Sequence, residues 1–169
     1  MKNLILHLET IRQLATEKEN ENENFRFFLK EQDGELIDKK VQRLNEWVTE
    51  KTDCTSCGNC CKSLLINVTT NEAESLAAHL QTSLETIKER YLDVSPGGKM
   101  VISSIPCHFL QGTKCSIYEN RFEGCREFPH LDRANFTQRL FGTMMYYGTC
   151  PIIFNVIELL KEELEFKTV

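Results

Sequence analysis

Four cysteines fall within eight residues, Cys54, Cys57, Cys60 and Cys61, and four more follow downstream at Cys107, Cys115, Cys125 and Cys150. This distribution constrains the fold more than any other feature, because thiols crowded on one loop are used chiefly to hold a metal. A Cys-x-x-Cys turn brings two thiolates to one ion, since the two intervening residues form a tight loop whose N–H groups can point at sulfur. Gly58 admits backbone dihedrals closed to other residues. Two overlapping units of this kind, running from Cys54 to Cys60, place three sulfurs on one stretch.

A chain of 169 residues, 41% hydrophobic and 27% charged, has the composition of an ordinary globular domain. The net charge of -5 is spread without any basic stripe, so nucleic acid is not an expected partner. Glu9 and Arg12 interrupt the apolar start before it reaches the length of a signal-peptide core or a membrane span. The expectation is therefore a cytoplasmic protein without a membrane partner. In a reducing cytosol, eight cysteines read as metal ligands or redox groups; a secreted, disulfide-stapled fold would suit the even count but lacks an export signal.

Leu4, Leu8, Ile11 and Ala15 mark one face of an N-terminal helix. The charged stretch 17–24 is either a solvated turn or the exposed part of a continuing helix. Ile37, Val41, Leu44 and Val48, preceded by the break at Gly34, predict a second helix leading into the cysteine loop. Residues 1–53 are thus a helical scaffold, and 1–50 could dock a protein partner. Beyond Cys61, 64–68 reads as a strand, and Thr69 with Glu72 has the form of a capping box opening a helix with Leu76, Ala77 and Leu80 inward. Thr82 and Glu85 repeat that signal for a helix ending near Tyr91. Pro96, Gly97 and Gly98 make a turn before a strand over 100–105. Residues 106–151 read as loops and short pieces that metal would order. Pro151 opens a last helix whose wide apolar face (Ile153, Ile157, Leu160, Leu164) must be largely buried. The predicted fold class is α+β and mostly helical: a small cysteine-rich, metal-stabilised domain over 54–169, with N-terminal helices and a buried C-terminal helix, forming one compact unit.

Bacterial ferredoxins combine the triple cysteine spacing with a further Cys-Pro to hold an iron–sulfur cluster, and Cys150-Pro151 is the one Cys-Pro here. Cys54, Cys57, Cys60 and Cys150 therefore form one candidate ligand set, the last placed where a helix dipole favours thiolate. The side chains of neighbouring Cys60 and Cys61 leave the backbone in different directions. Cys61 accordingly either joins Cys107, Cys115 and Cys125 in a second set or is a small buried hydrophobe. Tetrahedral zinc usually takes two separate knuckles, so three sulfurs on one stretch favour an iron–sulfur cluster, with Zn2+ the alternative and metal-free thiol chemistry a third reading. His108 and His130 are further candidate ligands, or simply hydrogen-bonding residues. Tyr118, Glu119, Arg121 and Arg126 either form a reactive group or support the metal loops. No phosphate-binding glycine loop, nucleophile elbow or His-Glu-x-x-His pair is present.

Two blocks, Cys54-x-x-Cys57-Gly58-x-Cys60-Cys61 and Pro106-Cys107-x-Phe109-Leu110 through Cys115-x-Ile117-Tyr118-Glu119-Asn120-Arg121 to Cys125-Arg126-x-Phe128-Pro129, resemble the CxxCxxCC, or YkgJ-like, cysteine-cluster family described as zinc- or iron-chelating. The resemblance covers about residues 54–130 and implies metal binding without implying a reaction. Arg121 is followed by Phe122 where such proteins usually carry proline. A similar cluster accompanies lysine methylation in the flagellin lysine methylases. The expected function is a metal protein of structural or electron-transfer role; the alternatives are an enzyme or accessory factor of protein modification, methyl-transfer-like, and an adaptor stapled by metal.

Overall fold

Capping residues and short apolar repeats cut the chain into many small elements. The computed structural model describes residues 3–167. In chain order these form α1 (Leu8–Glu17), α2 (Glu19–Lys30), α3 (Gly34–Thr49), α4 (Cys54–Cys57), β1 (Asn67–Val68), α5 (Thr70–His79), α6 (Leu84–Tyr91), β2 (Leu92–Val94), β3 (Met100–Ile102), β4 (Leu110–Gln111), β5 (Lys114–Cys115), α7 (Glu123–Glu127), α8 (Phe136–Met144) and α9 (Pro151–Glu163). The fold is α+β and mostly helical. Its residues divide into two units, Met1–Asp53 with Pro129–Val169, and Cys54–Phe128. Residues 129–169, assigned from sequence to the cysteine-cluster segment, thus group with the N-terminal helices.

In the helical unit, the predicted face of α3 (Ile37, Val41, Leu44, Val48) is buried, and α3 packs on α8 and α9. α9 starts at Pro151 and is buried nearly all round from Pro151 to Ile157, as expected of a helix too apolar to face water. Buried Asn155 holds the chain before α1, accepting from Ile5 N–H at 2.9 Å and donating to Ile5 O at 2.8 Å. Asp38 of α3 receives the start of α8: its carboxylate accepts from the N–H groups of Asn135 (2.7 Å) and Phe136 (2.8 Å). The segment 106–151, read from sequence as loops and short pieces, contains the nine-residue helix α8. The charged stretch 17–24 turns out to contain the start of α2, with Asn22 buried.

That burial has a reason. Lys161, 4% exposed, donates to Glu21 Oε1 (2.7 Å), Asn22 Oδ1 (2.6 Å) and Glu158 Oε1 (2.7 Å), while Tyr147 Oη donates to Glu158 Oε1 (2.7 Å). Burial opposes ionisation of Glu158, but hydrogen bonds from Lys161 and Lys18 outweigh it and hold the carboxyl below its ordinary range. The stability this confers is present above the ordinary carboxylate pKa and is lost as pH falls through the lowered value. Thermal melts should therefore show a falling Tm on acidification below about pH 4. Glu158→Gln should flatten that dependence; an unchanged slope would remove Glu158 as its cause.

In the Cys54–Phe128 unit, β1, β3 and β2 form an antiparallel sheet in that order, with Val68 opposite Met100 and Leu92 opposite Ile102. The predicted strands 64–68 and 100–105 shorten to two and three residues. α5 begins with the predicted capping box. α6 is capped one residue later than expected, by Ser83, whose hydroxyl accepts from Thr86 N–H at 3.1 Å. Val68, Leu76, Ile87, Leu92, Met100, Ile102, Phe109, Ile117 and Phe122 form the core, and Cys107, Cys115 and Cys125 pack against it.

Candidate metal centre

Seven of the eight cysteines belong to the Cys54–Phe128 unit, and the two sequence blocks meet there through the backbone. Cys107 N–H donates to Cys61 O at 2.8 Å. α4, which carries Cys54 and Cys57, packs on β5, which ends at Cys115. Gly58 makes that approach possible: its φ is +61°, and a Cβ there would lie 2.6 Å from Thr113 O. Only glycine occupies such a position without strain. The hairpin of β4 and β5, with Leu110 opposite Cys115, carries the second block, and the cis peptide Ile105–Pro106 precedes it.

Cys60 and Cys61 lie in a 3-10 turn, Cys60–Lys62, which brings their side chains within hydrogen-bonding reach of each other instead of turning them apart. The Cys61 thiol donates to the Cys60 sulfur, and this bond brings Cys60 down to about 6 while pushing Cys61 up. Negative charge on Cys60, Cys107 or Cys115 adds to the upward push on both Cys61 and Cys125. Burial raises Cys107, partly offset by a hydrogen bond from Phe109 N–H, and burial pushes Cys125 up to about 12. Arg121 is the nearby cation that favours the thiolates of Cys60 and Cys125. Its guanidinium lies 3.8 Å from the Tyr118 ring centre and donates to Tyr118 O at 2.7 Å. Arg126 in turn donates to Arg121 O. These side chains brace the loop.

All eight cysteines are thiols. Among the described residues, no group of three or more His, Cys, Asp or Glu side chains is already arranged to hold a metal ion. The donor types nonetheless suit a thiophilic metal: Cys60, Cys61, Cys107, Cys115 and Cys125 are all partly buried thiols near one another, with the Arg121 cation close to Cys60 and Cys125 and peptide N–H groups donating to the sulfurs of Cys60 and Cys107. Exposed Cys54 and half-buried Cys57 lie on the adjoining α4.

A family model described as "Putative zinc- or iron-chelating domain" matches residues 53–146. The chain belongs to the CxxCxxCC family. No curated protein and no solved structure matches it. The matched region of this CxxCxxCC protein includes every cysteine except Cys150, which lies buried at the N-cap of α9 in the helical unit. His108 Nε2 is 3.0 Å from Ser103 Oγ and its ring meets Tyr91 edge-on, so it packs beside the hairpin, while His130 belongs to the helical unit. Sequence reasoning missed Thr113, whose backbone receives Gly58, and no residue pattern announces such a contact. Among the described residues, no helix is long and apolar enough to cross a membrane.

Proposed function

We propose that the Cys54–Phe128 unit is a thiolate metal centre in which Cys60, Cys61, Cys107, Cys115 and Cys125 are the principal donors, adjoined by Cys54 and Cys57, and that its occupant is an iron–sulfur cluster. The observation that carries this reading is the backbone junction of the two cysteine blocks, Cys107 N–H to Cys61 O at 2.8 Å, with Cys107, Cys115 and Cys125 packed on the apolar core. Five principal thiols with two more adjoining exceed the four ligands that saturate a single zinc, which favours the cluster. A bound cluster supplies one-electron chemistry together with a cross-link between the loops. The chain excludes water through Phe109, Ile117 and Phe122, offsets negative charge through Arg121, and fixes the donors through the Gly58–Thr113 approach. A structural or electron-transfer role follows. Ile11, Phe25, Leu29, Ile37, Val41, Leu44 and Val48 spend the inward faces of α1 to α3 on the core of their own unit, which favours that role over an adaptor, although Phe27 and Leu36 stay exposed.

Anaerobic purification with elemental analysis and an absorption spectrum tests the occupant. Brown protein with iron and acid-labile sulfide is expected, and colourless protein with stoichiometric zinc would replace the cluster with Zn2+. Cys60→Ser should cut bound metal by about tenfold or more and lower Tm, because metal binding and folding are coupled. Cys150→Ser should leave metal content unchanged; loss of metal in that variant would bring the α9 cysteine back into the ligand set.

A further inference from the structure

Glu72 lies outside both cysteine blocks, yet its carboxylate serves two elements. Oε2 closes the capping box of α5, accepting from Thr69 N–H at 2.8 Å and from the Thr69 hydroxyl at 2.7 Å, while the Thr69 hydroxyl oxygen accepts from Glu72 N–H at 3.3 Å. A capping box requires no more than that. The other oxygen, Oε1, accepts from Glu123 N–H at 2.7 Å. Glu123 is the first residue of α7, and Cys125 lies two residues on, tied by its own N–H to Phe122 O at 3.0 Å. α7 has five residues and no side-chain cap from Phe122, so it cannot hold its place by helix propensity. Arg126, on the same short helix, attracts the Glu72 carboxylate as well.

We propose that Glu72 is a positioning residue of the metal centre: by receiving Glu123 N–H, it fixes the α7 turn that holds Cys125 against the core beside Cys107 and Cys115. The inference rests on Cys125 being a metal ligand. It makes the start of α5 part of the centre's framework, although α5 itself carries no cysteine.

Three variants of the full chain separate this role from simple destabilisation. Glu72→Gln loses the charge that holds both donors at once; Thr69→Ala loses the cap hydroxyl and keeps the carboxylate on Glu123; Cys125→Ser removes the thiol. Zn2+ affinity is measured by chelator competition, thiolate coordination by the absorption bands of bound Co2+, and Cys125 placement by its alkylation rate in metal-free protein. Glu72→Gln is expected to weaken Zn2+ about tenfold or more, to reduce the thiolate-to-Co2+ band, and to speed alkylation of Cys125. Thr69→Ala, at comparable loss of stability, should leave all three near wild type. Equal effects in both variants, or none in Glu72→Gln, would overturn the proposal. Unchanged Zn2+ binding in Cys125→Ser would instead show that Cys125 is no ligand, and the proposal would fall with that reading.

Discussion

Gly58→Val is expected to unfold much of the cysteine unit's loop structure and to abolish metal binding. The glycine sits at φ +61°, and the atoms a Cβ would meet are backbone: Thr113 O at 2.6 Å and Thr113 Cα at 2.9 Å. Holding a non-glycine residue in the left-handed region costs about 1–3 kcal/mol. Forcing two backbones apart in a packed site adds about 1–3 kcal/mol. The hairpin that must give way carries Cys115, so its displacement removes a proposed donor as well as stability. Because the clash is with main chain, Thr113→Ala in the same protein should not rescue it. Urea unfolding of the metal-free protein, with metal analysis of the purified variant, checks both claims. A loss of stability below about 1 kcal/mol would show that the two loops separate freely.

The second large effect is expected at Lys161. All three ammonium protons are engaged at 2.6–2.7 Å, so Lys161→Met leaves the carboxylates of Glu21 and Glu158 facing each other with only Lys18 between them. Breaking a buried pair by deleting one partner costs about 3–5 kcal/mol. The lower figure applies, because the Glu21 and Glu158 side chains retain 27% and 22% exposure. Adding Glu158→Gln removes the uncompensated charge and keeps an acceptor for Tyr147 Oη, so the double variant should recover at least about 1 kcal/mol. Urea denaturation at neutral pH reads both variants. Equal stability of the single variant and the wild type would mean that the cluster behaves like an exposed surface pair.

Much of the scaffold could be read from the chain alone where local chemistry and tertiary packing agree. α9 announces itself through Pro151 and an apolar sequence that tolerates burial on every side, and Thr69 with Glu72 specifies the start of α5. α8 escapes such reading because its buried residues, Phe136, Leu140 and Thr143, share the helix with exposed Phe141 and the weak helix former Gly142. The strands are shorter than their β-prone sequence predicts, and beyond the paired residues only single backbone bonds continue, Ile102 N–H to Ile66 O and Ser103 N–H to Tyr91 O, each at 3.0 Å. The cysteine blocks were legible as the signature of the family; how they meet was not. The bond from Cys107 N–H to Cys61 O, the close approach at Thr113 and the second use of the Glu72 carboxylate all join residues far apart in sequence.

The helical unit is discontinuous, and this bears on how the protein assembles. Its two segments are separated along the chain by the whole of Cys54–Phe128. During synthesis, α1 to α3 must wait for that stretch to emerge before α8 and α9 can cover their apolar faces. Until then the intervening chain is a long tether, whose closure entropy rises with the logarithm of its length. A metal held by the tether would shorten the effective loop and so favour docking of the late helices. Supply of metal would then govern the yield of the entire polypeptide, and starvation would expose α3 to aggregation as well as emptying the centre.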